Sequence, residues 1–138
     1  MYLIRIALLL SLTLMSGLVM ASSEEDEGSA SATTTVSYLP MTPPFVVTVG
    51  EGKISYLKAE ISLRVSDAAL ALVELHMPAL RHELVMLMSS KSLDELDGAA
   101  TRELIRQQAL AACRSVLQED GQSDGIKDLL FTNFIVQR

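Results

Sequence analysis

The 138-residue chain has one cysteine, two histidines and no tryptophan. A lone thiol, Cys113, excludes an internal disulfide framework and a thiolate metal cluster. Two histidines leave little material for a zinc site. Aromatic residues make up only 4% of the chain, which argues against base-stacking platforms and aromatic sugar clefts. Bases are outnumbered, 11 against 17 acids, for a net charge of −6. A nucleic-acid binder needs a basic face, and none is visible. The length allows one folded domain and little more. Apolar residues are plentiful, at 49%.

Part of that apolar content is local. Ile6 to Ala21 is interrupted only by Ser11, Thr13, Ser16 and Gly17, and Arg5 precedes it. A basic start, an apolar stretch and small residues are the layout of a secretory signal, with Val19-Met20-Ala21 as a cleavage site. An uncleaved membrane anchor is the other reading: extended back to Met1, the stretch reaches the ~20 residues a bilayer needs. Either way, the remainder is exported. Residues 1–21 are therefore assigned to a signal peptide or anchor. Residues 22–37 are assigned to a disordered tether, with an acidic run (Glu24, Glu25, Asp26, Glu27) followed by Gly, Ser, Ala and Thr that can bury little surface. Residues 38–138 form the expected domain.

Phe45–Val49 is a short β-rich run. Gly50-Glu51-Gly52-Lys53 supplies a turn, and Ile54–Val65 alternates cleanly. Leu57, Ala59, Ile61, Leu63 and Val65 share one face; Lys58, Glu60, Ser62 and Arg64 share the other. Period two predicts a strand with one wet face, and the pair reads as an antiparallel hairpin. Asp67 reads as the cap of a first helix, Ala68–Leu75. Pro78 suits the first turn of a second helix, Pro78–Met88. Ser92 and Glu95 are spaced as a capping box opening a short turn over Leu93–Leu96. A third helix over residues 98–118 buries Ile105, Ala109, Ala112 and Val116, with Arg102, Arg106 and Arg114 away from that stripe. Asp128–Gln137 reads as a closing strand, with Leu130, Phe134 and Val136 on one face and Phe131 and Ile135 on the other. Apolar residues on both faces predict a central or doubly covered strand. The fold class is α+β: an antiparallel hairpin and a C-terminal strand in one sheet, with three helices between.

Catalytic and metal signatures are weak. His82-Glu83 invites a zincin reading, but position 86 is Met86 rather than the second histidine. Asp94, Glu95 and Asp97 cluster at a helix start, where acids favour the dipole. No nucleophile elbow and no phosphate-cradling loop occurs, so no catalytic residue, metal or cofactor is assigned. Cys113 reads as a small buried hydrophobe. Ala68–Leu75 carries a single charge and cannot turn every residue to one small core. Leu70, Leu72 and Val73 are therefore candidate interface residues. Arg102 and Arg106 are candidates for contact with an acidic partner.

Several stretches, in order, resemble the flagellar basal-body-associated FliL family. Tyr38-Leu39-Pro40 followed by Phe45-Val46-Val47 resembles its first strand segment, and residues 56–63 resemble its second strand. Met77-Pro78-Ala79-Leu80-Arg81 resembles its Pro-x-(Ile/Leu)-Arg helix. Residues 129–137 resemble its closing strand, with a Phe-Thr-x-Phe-x-x-Gln ending read at Phe131, Thr132, Phe134 and Gln137. The resemblance covers about residues 38–138. It implies a non-enzymatic protein with an N-terminal membrane helix and a periplasmic domain similar to the stomatin-like (SPFH) domain. It further implies homo-oligomeric rings around the stator units of the flagellar motor, in support of swimming or swarming. The implied partners are a second copy, stator and basal-body ring proteins and the inner membrane, with no nucleic acid. The apolar first helix and the wet strand face become candidates for protomer contacts. The alternative is a FliL-like adaptor, cut after Ala21 and free in the periplasm.

Overall fold

The computed structural model describes residues 35–50 and 54–138. The signal or anchor, nearly all of the tether and residues 51–53 of the Gly50–Lys53 turn lie outside the described residues. Residues from Thr34 to Arg138 form one compact unit.

The domain is α+β, with a four-stranded antiparallel sheet. β1 (Val36–Pro40), β2 (Phe45–Val49) and β3 (Ser55–Ser66) come first, then helices α1 (Leu70–Leu75), α2 (Met77–Ser89) and α3 (Ala99–Val116), and finally β4 (Ile126–Gln137). β3 is the central strand. β4 pairs with it from Tyr56 to Val65 along one edge. β2 and β1 follow one another along the other edge, opposite residues 55–59 and 62–66.

The alternation expected of β3 holds: Leu57, Ala59, Ile61, Leu63 and Val65 are each at most 2% exposed. Each such Leu or Val contributes ~1.5–3 kcal/mol of burial. Gly50 follows β2 with φ +77°, a left-handed conformation that glycine adopts without strain. The helices cover this one face. Leu80, Leu84 and Met88 of α2 are fully buried, as are Ala109 and Cys113 of α3, and Phe45, Val47 and Val49 come up from β2.

Five expectations change. Val36 and Ser37, assigned to the tether, belong to β1 and face Ser66 and Val65. Asp67 does not cap a helix; it opens a 3-10 turn, Asp67–Ala69, and its carboxylate accepts a 2.7 Å hydrogen bond from the Ser37 hydroxyl. The buried stripe of α3 continues through Cys113 to Leu117, while Ala112 and Val116 are only half-buried. β4 is an edge strand, not a central one, since it pairs with β3 alone. Its faces also differ from the simple alternation. Glu60 faces Asn133 but Ile61 faces Phe131, so Thr132 is an extra residue. This bulge resets the period. Phe131 joins Phe134 and Val136 on the core side, its ring edge-on to Phe134 at 5.1 Å, and Leu130 joins Ile135 on the open side.

Candidate interaction surface

Among the described residues, exposed side chains gather on the face of the sheet without helices, along the seam where α3 runs beside β4, and at the end of α1. On the open face, β3 presents Tyr56, Lys58, Glu60, Ser62 and Arg64. Val46 and Ile135 flank Lys58 from β2 and β4. Val46 is 65% exposed, and Tyr38, Tyr56 and Ile135 are also exposed. Charge on this face is balanced locally: Lys58 lies 3.8 Å from Glu60, which accepts from the Asn133 amide at 3.3 Å.

The seam is arginine-rich. The Arg114 guanidinium donates to the carbonyls of Ile126 (2.9 Å) and Lys127 (3.1 Å). Arg106 pairs with Asp128 and donates to Leu129 O at 3.4 Å. It also holds Glu103 at 2.7 Å. That hydrogen bond, with a second from Gln107, lowers the Glu103 carboxyl from its ordinary 4.5 to about 2. The same bond to Glu103 is the main cause of a raised Arg106 pKa. Side-chain donors thus occupy edge carbonyls that a further strand would otherwise meet. Arg102 stands one turn earlier, exposed, its guanidinium 5.8 Å from the centre of the Phe134 ring.

The residues singled out in the sequence fall in several places. Val73 is wholly buried, and Leu70 and Leu72 are half-buried against the core. Leu75, at the end of α1, is 72% exposed. Arg106 is committed to Glu103 and Asp128, and Arg102 remains exposed. Helical spacing alone put Arg106 and Arg114 off the buried stripe, but it could not show β4 lying beside them.

Some of the other polar groups make local contacts. Ser92 and Glu95 form the expected capping box: the Ser92 amide donates to Glu95 Oε2 at 2.8 Å and the Ser92 hydroxyl at 2.9 Å. The Ser92 backbone bond is the main cause of the lowered Glu95 pKa. His82 and Glu83 are exposed, and His76 lies 3.0 Å from Asp120. Burial pushes the Cys113 thiol up to about 12. Among the described residues, no group of three or more His, Cys, Asp or Glu is placed to hold a metal ion. No described helix is long and apolar enough to cross a membrane.

Fold and surface together define a small α+β domain with helices on one side of an open antiparallel sheet. The family model for the flagellar basal body-associated protein FliL matches residues 38–137, so the chain belongs to the FliL family. That family carries a basal-body-associated role in the flagellum. The chain is also similar to the flagellar protein FliL of Aquifex aeolicus (strain VF5), 27% identical over 97 residues. The match covers 69% of this chain and 58% of that relative's length.

Proposed function

We propose that the chain is a non-enzymatic component of the flagellar basal body that oligomerises near the stator units and supports rotation. The observation that carries this reading is the family match across the whole folded domain, residues 38–137. The domain's exposed features, an open sheet face and a basic seam, suit a protein that works by contact. Its N-terminal stretch, residues 1–21, holds it at the inner membrane, and the domain lies on the periplasmic side. Residues after Ala21 form the tether, which ends where β1 begins at Val36. Identical domains side by side brace the stator units in their engaged form. The open sheet face and the exposed end of α1 are the surfaces for these contacts.

Deleting the gene is expected to impair swimming or swarming most under high load, with recovery when the full chain is restored. Motility equal to the parent strain at both high and low load counts against the proposal.

The composition of Val19-Met20-Ala21 favours a second reading, a released periplasmic adaptor without a direct motor role. Sequencing the N-terminus of the protein from cell fractions separates the two. A start at Ser22 in the soluble periplasm supports release.

A further inference from the structure

Arg114 and Arg106 occupy the carbonyls of Ile126, Lys127 and Leu129, so the first half of the outer edge of β4 is covered. The second half is open. The Met41 N–H donates to Ile61 O at 2.9 Å, so Ile61 turns its backbone toward β1 and β2. In an antiparallel ladder a residue's N–H and C=O point the same way, and the direction alternates along the strand. Ala59 and Leu57 therefore share the direction of Ile61. Phe131, Phe134 and Val136 stand opposite these three and turn their own N–H and C=O groups to the outer edge. Among the described residues, no strand pairs with that edge.

The open stretch has a wall. α3 runs beside it, and Arg102, Phe131 and Phe134 line a groove of about 500 Å³ between helix and strand. That volume lies within the ~300–1,000 Å³ of binding clefts. The groove also holds a cation without a counter-charge. Among the described residues, Arg106 pairs with Glu103 and Asp128, and Arg138 with Asp97, while Arg102 pairs with no carboxylate. Its guanidinium stands 5.8 Å from the centre of the Phe134 ring. The seam continues basic past Arg106, with Arg114 and Lys127, in a chain of net charge −6.

We propose that this groove takes an extended segment of another protein as an added strand beside Phe131–Val136, with an acidic side chain of that segment at Arg102. In strand addition, backbone hydrogen bonds supply the affinity and alternate side chains the specificity. Phe134 and Val136 offer the backbone groups. A residue opposite Phe134 shares its face of the sheet and turns toward α3, where Arg102 meets a carboxylate. Its two neighbours turn to the open face, beside Asn133 and Ile135. Ile135 is 44% exposed there, and β-branched apolar side chains pair with it across the ladder. The partner's pattern is therefore an acid between two β-branched apolar residues. A second copy fits the charge less well. Pairing β4 with β4 about a two-fold axis at Phe134 sets Arg102 against its own copy, and like charges oppose that contact. Either role proposed above leaves the groove open to such a segment.

Titration of the full chain with capped heptapeptides tests this, read by NMR shifts and hydrogen exchange of backbone amides. The probe alternates valine and threonine and carries glutamate at its centre; the control carries glutamine there. The glutamate peptide is expected to shift the amides of Phe131, Phe134 and Val136 and to slow their exchange. Asn133 and Ile135, whose amides point to β3, should change less. The glutamate peptide should bind about threefold or more tighter than the control, the strength of a charged contact near the surface. Arg102→Ala should remove that preference, and Arg102→Lys should keep part of it. Equal binding of the two peptides to the parent protein overturns the assignment, as does no change at these amides at ~1 mM peptide. Amides of Phe134 and Val136 already protected in the protein without peptide also overturn it, because a second copy or another part of the chain then holds the edge.

Discussion

Gly125 lies against Ala69: a β-carbon on Gly125 would stand 2.5 Å from the Ala69 β-carbon. The contact joins the turn before β4 to the turn after β3, and the Ser66 hydroxyl donates to Gly125 O at 3.4 Å in the same place. Ala69 is 1% exposed. Gly125→Ala is therefore expected to destabilise the domain by about 1–3 kcal/mol through overpacking. Urea denaturation checks this, and an unchanged midpoint would show that the two turns separate freely. Gly121→Ala is a control for steric crowding only, since nothing stands within 4 Å there, although its φ of +69° adds backbone strain.

Arg114 acts as a fork across two carbonyls of β4. Arg114→Ala is expected to cost about 1–2 kcal/mol, as edge carbonyls lose a charged donor. Arg114→Lys should restore only part, because an ammonium is not a planar fork. Thermal unfolding of the three forms gives the order, and full recovery by lysine would contradict the bidentate role.

Glu103 yields a pH dependence. Its folded pKa, about 2, is below the ordinary 4.5. The contact with Arg106 therefore adds stability above pH 4.5 and loses it as pH falls from there towards 2. Glu103→Gln should lack this part of the acid dependence. Carboxyl titration by NMR should place the Glu103 midpoint near 2; a midpoint near 4.5 would mean that Arg106 does not hold it in solution.

Cys113 is fully buried on α3, with its thiol pushed up to about 12. A thiol this shielded is expected to resist alkylation at neutral pH until the domain unfolds. Labelling across a denaturant series should follow the unfolding curve. Fast labelling of the native protein would show that α3 opens locally.

Much of the fold was legible in residue order. The period of two from Leu57 to Val65 marked β3, because a strand buried on one face must alternate. Pro78, the Ser92–Glu95 box and the spacing of Ile105 and Ala109 marked the helices and the turn between them. β1 was harder to see. Val36–Pro40 is short, follows Thr and Ser and ends in proline, and its strand form comes from pairing with residues 62–66. The candidate interface was only partly legible. Low charge over Ala68–Leu75 suggested an exposed apolar helix, yet Val73 fills the core and Leu75 faces water. No local signal separates these two residues, since both are aliphatic and two positions apart.

The sequence by itself determined β2 to β4 and the three helices, their order, the core face of β3 and the family, because each is written in spacing and side-chain type. The tertiary structure decided that β3 rather than β4 is central. It also set the face of Phe131 and gave Arg106 and Arg114 their place at a strand edge. One extra residue, Thr132, reverses every side chain beyond it, and a guanidinium finds its partner only where the chain brings one within reach. Such facts depend on register and proximity, which residue order does not carry.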